Sequence, residues 1–415
     1  MVIKEVLTKK DSRRFLEFHK WLYRDDPNWV CPLDSEFNAV FDPAINRTFR
    51  HGILKRWILT DEDDRMIGRI AAFVDHYRSK AYRQPTGGLG FFEVIEDEKA
   101  AFLLFETAVE WLKDNGMEAV DGPITFGSNE SNWGLLVEGF MQQGYGMPYN
   151  KKYYKDYFEK YGFRNYFNQY SFHRDIASVN VFPERFMKIA EWISRKPGYT
   201  FEHFSFKNPG KYVNDLVEIY NATWSEFRED YQPMEPDDFN ETIKKGKAFL
   251  DEELIWFAYK DGEPVAFYIL FPDLNQILKH FNGKMNLWNM IRFLYLKQKK
   301  TMTRMRALVA GVKPAFRNSG IESAIFKCLY NVFMKKRYYT ELELSWVGDF
   351  NEPMLSIYEA IGAEKAKRHV TYRYLINKDI EFIRLEDEMK ELVERNEEIS
   401  KNKSVSYTHL TLPTN

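Results

Sequence analysis

The sequence is 415 residues long, with 59 Lys and Arg against 61 Asp and Glu, so its net charge is only −2. No apolar run approaches the roughly 20 residues that cross a bilayer, and Cys31 and Cys328 stand too far from other metal ligands for a zinc site. We therefore expect a globular protein of two domains without a metal, and the charged amino terminus predicts a cytoplasmic location.

The first half of the chain predicts a mixed α/β unit. Asp11 starts an amphipathic helix after a short strand, and Gly116 closes a later helix. Hydrophobic alternation and turn residues place the remaining elements. The predicted strands are 2–7, 56–59, 66–75, 90–95, 119–124 and 166–174, and the later helices are 97–115 and 151–161.

The second half repeats this order, which predicts a diverged tandem repeat with a boundary near residue 177. Its predicted strands are 199–206, a hairpin over 254–271, one ending at Val312, 340–347 and 369–375; its helices are 211–227, 321–335 and 353–361. We expect domains at 1–176 and 177–378 and a carboxyl-terminal helix at 379–403. Residues 404–415 resemble a translated sequencing adapter and are predicted to be non-native.

The charge is unevenly distributed. No Asp or Glu occurs from Leu274 to Ile321, whereas ten Lys and Arg residues do. Such a stretch favours an anionic partner, either a phosphorylated cofactor or a lipid surface, although a solvated basic face would have the same composition.

The stretch VKPAFRNSGIESAIF joins a strand to a helix. Ile321 begins an apolar pattern at helical spacing, so the unpaired N–H groups from Ser319 onward would point out of the turn. Such a helix terminus attracts phosphate, with Gly320 allowing close approach and Arg317 adding charge. An R-x-x-G pattern alone is weak evidence, because a structural turn has the same residues.

The wider order is strand, V-x-P-x-x-R-x-x-G-I, helix, strand, Asn351 and Leu355-x-x-Tyr358-x-x-x-Gly362. It resembles the coenzyme A-binding half of the GNAT acyltransferase superfamily. The resemblance implies two tandem GNAT-like domains of mixed α/β class, acyl-CoA or acetyl-CoA as co-substrate, and a pantetheine site between the strands that flank the helix. The implied cofactor-binding residues are Val312, Lys313, Arg317, Asn318, Ser319, Gly320, Ile321 and Asn351.

Two departures from the GNAT pattern are visible. Glu322 stands where the family has Gly or Ala, which places a carboxylate next to the expected phosphates. In the first half, the corresponding segment Val94 to Glu98 has no glycine and several carboxylates, which would repel a pyrophosphate. The first domain is therefore expected to be degenerate and to shape the acceptor pocket.

A narrower resemblance covers most of the chain. It is similar to the bacterial ceramide synthase-like family of tandem GNAT proteins, which implies transfer of an acyl group to a sphingoid base or another lipid amine. The matching segments are Asp26–Val30, Gly68–Ala71, Gly90–Glu93, Asp121–Pro123, Asp273–Gln276, Gly311–Pro314 and Glu343–Trp346.

Two residues are candidates for the chemistry. Glu343 shares one face of a predicted strand with Glu341 and Ser345, so it could take the proton of the amine; a solvated acidic face is the alternative. Tyr358 stands where many GNAT enzymes carry a tyrosine acid, and packing of an aromatic ring explains it equally well.

The insertion Leu278 to Arg306 mixes aromatic, aliphatic and basic residues. It suits either contact with an anionic membrane or packing across the cleft between the domains, and packing is the preferred interpretation. No nucleic acid partner is expected. Two other functions stay open: an aminoacyl-tRNA-dependent peptidyl transferase of tandem GNAT type, and a non-catalytic acyl-CoA-binding protein.

Overall fold

The fold is given by a computed structural model, which describes residues 1–80, 83–127, 133–178, 181–225, 233–237, 243 and 246–391. The strands are β1 (Val2–Glu5), β2 (Gly52–Thr60), β3 (Met66–Asp75), β4 (Thr86–Val94), β5 (Ala119–Gly122), β6 (Leu135–Glu138), β7 (Arg164–Asp175), β8 (Tyr199–His203), β9 (Ile255–Lys260), β10 (Glu263–Pro272), β11 (Arg304–Val312), β12 (Glu341–Gly348) and β13 (Glu364–Leu375). The α-helices are α1 (Lys9–Leu22), α2 (Asp34–Ala39), α3 (Glu98–Asp114), α4 (Tyr154–Tyr161), α5 (Glu184–Ser194), α6 (Pro209–Trp224), α7 (Asn275–Leu278), α8 (Leu287–Gln298), α9 (Ile321–Lys335) and α10 (Glu352–Ala360).

Within the described residues, these strands form one sheet. Its order is β1-β2-β3-β4-β5-β13-β7-β12-β11-β10-β9-β8, and β6 pairs with β13. The pairs β4–β5 and β11–β12 are parallel, and the others are antiparallel. Each parallel pair is joined by one helix, α3 or α9, because parallel neighbours need a crossover connection.

The last strand of each half lies beside strands of the other half. β7 ends the first half but pairs with β12, and β13 ends the second half but pairs with β5. Buried Arg373 on β13 binds Asp121 on β5, with Nε 2.7 Å from Oδ1 and Nη2 2.9 Å from Oδ2. The predicted boundary near residue 177 stays a prediction about the sequence repeat, and the sheet is continuous across it.

Each half has a large apolar core, which packs against one face of the sheet. In the first half, α3 contributes Leu104 and Phe105; in the second, α9 contributes Phe326 and Leu329. Leu342 and Leu344 of β12 belong to the second core, so the alternating residues Glu343 and Ser345 point to the opposite face of the sheet.

The predicted elements agree closely with the structure. The helix expected from Ile321 is α9, and Thr8 and Asp11 form a capping box at the start of α1. Residues 385–391 are helical, within the helix predicted at 379–403. The rest of that helix and the predicted non-native tail at 404–415 lie outside the described residues.

Candidate active site

The parallel strands β11 and β12 separate after three residues. Their register pairs Arg304 with Glu341 and ends with Arg306 opposite Glu343. The pairing of β10 with β11 shifts in register between Ile269 and Leu270 of β10, whose partners are Val309 and Ala307. β11 therefore has a bulge between Ala307 and Val309. Beyond the β11–β12 pairing, the backbones of the two strands leave a gap on the side where α9 begins. The hydroxyl of Ser345 crosses the start of this gap by donating to the carbonyl of Ala307 at 3.2 Å.

The loop before α9 has an unusual backbone. Asn318 and Gly320 both have positive φ angles, 61° and 79°. A Cβ atom on Gly320 would collide with Cδ1 of Ile193 in α5, so only glycine fits there without a shift. Within the described residues, no backbone carbonyl accepts from the N–H groups of Gly320, Ile321 or Glu322, as expected at the start of a helix. The expectation was wrong for Ser319, whose N–H donates to the carbonyl of Phe316 at 3.2 Å.

A hydroxyl group adds to these donors. The Oγ atom of Ser319 is buried and has no hydrogen-bond partner within the described residues. Buried polar atoms are usually paired, and an unpaired one at a helix terminus is consistent with a ligand site.

The basic side chains of the loop are directed toward α6. Lys313 forms an ion pair with Glu218, and Arg317 donates to the carbonyl of Thr223 at 3.2 Å. Thr223 in turn donates to the carbonyl of Val312 at 3.2 Å. Lys313 and Arg317 therefore anchor the loop to α6. The backbone and the Ser319 hydroxyl provide the donors that have no partner in the described part of the chain.

Two further residues have structural partners. The side chain of Asn351 accepts a hydrogen bond from the N–H of Met354 at 3.3 Å, so it caps α10. Glu322 lies in the first turn of α9, where burial raises the pKa of its carboxyl while its own backbone N–H opposes that shift. This carboxyl lies at the helix terminus that a phosphate would also use.

On the other face of the sheet, Glu343 belongs to a buried charged cluster. Its carboxylate forms an ion pair with Lys367 of β13 and lies 3.6 Å from Nε of Arg304. Arg304 binds Asp273 with Nη2 2.6 Å from Oδ2. Glu343 is only 2% exposed, so the interpretation of a solvated acidic face was wrong for this residue. The segment around Gly144 covers this part of β12, since a Cβ on Gly144 would lie 3.3 Å from Oε2 of Glu343.

The cationic partners keep Glu343 ionised. Burial alone would raise the pKa of its carboxyl, but Lys367, Arg304 and Arg306 lower the pKa below its ordinary value. Glu343 is therefore a stable negative charge inside the protein.

Arg306 and His369 extend the cluster. Arg306 donates from Nε to Oγ of Ser345 at 2.7 Å and from Nη1 to the carbonyl of Tyr145, which belongs to the first half. His369 is fully buried, and burial lowers its pKa to about 3. Its ring centroid is 4.4 Å from that of Trp133.

Tyr358 lies on the opposite face from Glu343. Its hydroxyl is 3.1 Å from that of Tyr268, and its ring packs on Phe172. Burial raises the pKa of Tyr358 to about 12, so the phenol stays protonated at neutral pH. The structure does not bring the two candidate catalytic residues into contact, but places them on the two sides of the sheet.

The corresponding gap of the first half is filled. The β4–β5 pairing ends at Gly88 and Asp121, yet the N–H of Ile124 then donates to the carbonyl of Leu89 at 2.9 Å. A Cβ on Gly90 would collide with the carbonyl of Ile124. This half therefore has no open gap in its described part.

A buried hydrogen-bond network occupies the same region. The carboxylate of Glu93 accepts from the hydroxyls of Tyr23 at 2.7 Å and Tyr154 at 2.8 Å, and it lies 3.8 Å from Arg69. Asp97 caps the following helix by accepting from the N–H of Ala100 at 3.0 Å. A side chain thus occupies the terminus that a phosphate would need.

Sequence reasoning missed most of the charged cluster: Asp273, Arg304, Arg306, Lys367 and His369 were not predicted as site residues. A signal was present in β13, where Lys367, His369, Thr371 and Arg373 alternate and all are buried. Four polar residues at strand spacing usually indicate a solvated face, so only the neighbouring strands reveal their role.

Comparison with known proteins gives two curated relatives, although no protein-family model matches the chain. It is 27% identical to bacterial ceramide synthase of Caulobacter vibrioides over 378 residues, which cover 88% of this chain and 95% of that protein. It is 26% identical to protein YghO of Escherichia coli over 375 residues, covering 89% and 94%. The predicted ceramide synthase-like resemblance is thereby confirmed.

Among solved structures, a tandem GNAT protein from the clavulanic acid biosynthesis pathway superposes with a TM-score of 0.53 at 12% identity. The match covers 90% of this chain and 99% of that one. This likeness shows the fold, and it confirms the predicted mixed α/β class with tandem GNAT units.

Proposed function

We propose that this protein, which has the tandem GNAT fold and resembles a bacterial ceramide synthase, is an acyl-CoA-dependent N-acyltransferase acting on a lipid amine such as a sphingoid base. The observation that carries the proposal is the difference between the halves. Within the described residues, only the second combines a gap between the parallel strands, beyond the Ser345–Ala307 hydrogen bond, with unpaired donors at a helix start. Asp97 and Ile124 occupy the equivalent places in the first half.

The residues present fit a coenzyme A thioester. The N–H groups of Gly320 and Ile321 and the hydroxyl of Ser319 would hold its phosphates, helped by the dipole of α9. The bound cofactor supplies an activated acyl group. The carboxyl of Glu322 reduces the electrostatic attraction between the start of α9 and the phosphates. The hydrogen bonds from the backbone N–H groups would therefore contribute most of the binding free energy.

On the acceptor side, the amine must reach the thioester as the neutral base, because an ammonium has no lone pair for attack. As the neutral nitrogen bonds to the thioester carbon and the carbon–sulfur bond breaks, the nitrogen loses one proton. Glu343 would take this proton directly or through water and pass it on to the leaving thiolate, which gives the free thiol. Tyr358, whose phenol stays protonated, would donate a hydrogen bond to the leaving thiolate.

The first experiment is calorimetric titration of the full chain with acetyl-CoA and palmitoyl-CoA, comparing Gly320→Ala with Gly116→Ala. Both glycines have φ of 79°, so the backbone strain is matched, but an added Cβ on Gly116 meets nothing within 4 Å. We expect Gly320→Ala to weaken binding about tenfold, the equivalent of about 1.4 kcal/mol, and Gly116→Ala to bind normally.

Failure of the wild-type chain to bind either thioester would contradict the proposal, as would equal losses in both variants. Preference for palmitoyl-CoA supports a lipid substrate. Release of free thiol with a sphingoid base then tests transfer, and binding without turnover across varied amines would favour the non-catalytic alternative.

A further inference from the structure

Helix α8, in the insertion between β10 and β11, has one apolar face in the interior and another in solvent. Phe293 is fully buried and packs with Phe281 and Met302 against Val30 of the first half. The packing role predicted for the insertion is therefore present on this inner face. No helix in the described part of the chain is long and apolar enough to span a membrane.

The outer face of α8 is apolar and exposed. Helical geometry places its residues within about 120° of one another, opposite Phe293. Their exposed fractions are 74% for Leu287, 77% for Trp288, 51% for Ile291, 47% for Leu294 and 56% for Tyr295. A continuous patch of this kind marks an interaction surface, whereas single exposed apolar residues do not.

The residues flanking this patch are basic. Lys284, Arg292, Lys299 and Lys300 are exposed, and the insertion has no Asp or Glu of its own. Two acidic segments lie beside the insertion, 34–36 and 251–253, and both already have partners. Asp34 binds Lys20 and Glu36 accepts from Tyr145. Asp251 and Glu253 both bind Lys336, and Glu252 accepts from the N–H of Phe206. The charge around the patch is therefore positive.

We propose that α8 is a docking surface for an anionic lipid bilayer, with the outer apolar face inserted at the headgroup level and the basic residues on lipid phosphates. Apolar area and cationic charge together are the combination that binds a helix to an anionic interface. This inference is independent of the proposed reaction, since it rests on α8 and the basic residues that flank it.

The position of α8 relates such contact to the candidate active site. Asp273 directly follows β10 and Arg304 begins β11, so these two residues flank the segment that contains α8, and they form the buried ion pair next to Glu343. Docking through α8 would thus hold the charged cluster near the bilayer surface, where a lipid amine is found.

The test is flotation of the full chain with vesicles of phosphatidylcholine alone or phosphatidylcholine mixed with phosphatidylglycerol. We expect partition to the anionic vesicles to be about tenfold stronger, and to weaken with salt. The double variant Trp288→Ser/Ile291→Ser should lose about tenfold. The matched control is Ile189→Ser/Trp192→Ser, whose residues are 47% and 65% exposed on α5 and should float like the wild type.

The charge contribution is tested by Lys299→Gln/Lys300→Gln against the exposed pair Lys9→Gln/Lys10→Gln on α1. Only the first should reduce flotation. Equal binding to neutral and anionic vesicles, equal losses in test and control variants, or no flotation overturns the proposal. Light scattering tests a different occupant of this surface. If the wild type is a dimer and the α8 double variant is a monomer, the surface binds a second copy of the chain, and the proposal is contradicted.

Discussion

Glu343 is a buried charged residue on β12, and its environment depends on three other strands. Lys367 comes from β13, Arg304 and Arg306 from β11, and β7 lies between β12 and β13. A buried ion pair of this kind adds little net stability, but removing one partner leaves an uncompensated charge. The charge of Glu343 is therefore maintained at a structural cost, which is consistent with a functional role.

Two variants distinguish a structural from a catalytic role for Glu343. Glu343→Gln leaves Lys367 buried beside a neutral amide, so the free energy of unfolding should fall by about 3–5 kcal/mol. Glu343→Leu/Lys367→Met removes both charges and should recover most of that loss in urea unfolding. Turnover should be absent from both variants. Recovery of activity along with stability would show that Glu343 acts through structure alone.

His369 predicts a pH dependence of stability. Its folded pKa of about 3 lies below the unfolded value of about 6.5. Between these values only the unfolded state binds the proton, so stability is complete above pH 6.5 and falls as the pH decreases toward 3. The slope attributable to this residue is about 1.4 kcal/mol per pH unit.

Unfolding by urea between pH 6.5 and 5, above the ordinary range of exposed carboxylates, measures this slope as the difference between the wild type and His369→Gln, because the contribution of buried carboxyls is common to both. His369→Gln should lower the proton uptake on unfolding by about one. The exposed His76 supplies the control, and His76→Gln should leave the slope unchanged. An unchanged slope in His369→Gln would contradict a buried neutral imidazole.

At the scale of single elements, local sequence carried most of the information. The predicted helix at 97–115 is α3, Glu98–Asp114, and the predicted hairpin at 254–271 is β9 and β10. These elements have strong periodicity and distinct turn residues, so their local preferences agree with the tertiary packing. The start of α9 after Gly320 was predictable for the same reason.

Whether an element packs, binds a ligand or faces solvent depended on the elements around it rather than on its own sequence. The α8 pattern is apolar on nearly all sides, and sequence alone left membrane contact and packing as alternatives. The structure assigns Phe293 to packing and leaves Trp288 exposed. Likewise, Arg317 had the right position for a phosphate contact, but its guanidinium donates to the carbonyl of Thr223 in α6.

At the scale of the whole molecule, the two halves complete each other. β13 covers the edge of β5, and Arg373 neutralises Asp121, which is 3% exposed. The ring of Tyr166 lies 3.5 Å from the guanidinium of Arg373, which adds a cation–π contact across the halves. Without the other half, each half would leave strand edges unpaired in the middle of the sheet.

A fragment of residues 1–176 should therefore not fold alone. It would expose the β5 edge and leave Asp121 without Arg373, which costs several kcal/mol. Circular dichroism should show no cooperative thermal transition for the fragment. Co-expression with residues 177–391 should give a complex that copurifies and unfolds cooperatively. A sharp transition in the isolated fragment would contradict this interdependence.

The sequence by itself determined the order of most strands and of the longer helices except α5 and α8, the tandem repeat, the glycine at the start of α9 and the acidic segment that replaces a phosphate loop in the first half. These features depend on residues close together in the chain, where periodicity, capping and turn preferences act. The sequence missed β6, α2, α5 and α7, and it set no bounds for α8. Only the tertiary structure decided that Lys367 and Arg304 surround Glu343, that β7 and β13 pair across the halves, and that one face of α8 stays in solvent. These depend on contacts between residues far apart in the chain, and a local pattern does not specify which strand covers a polar face.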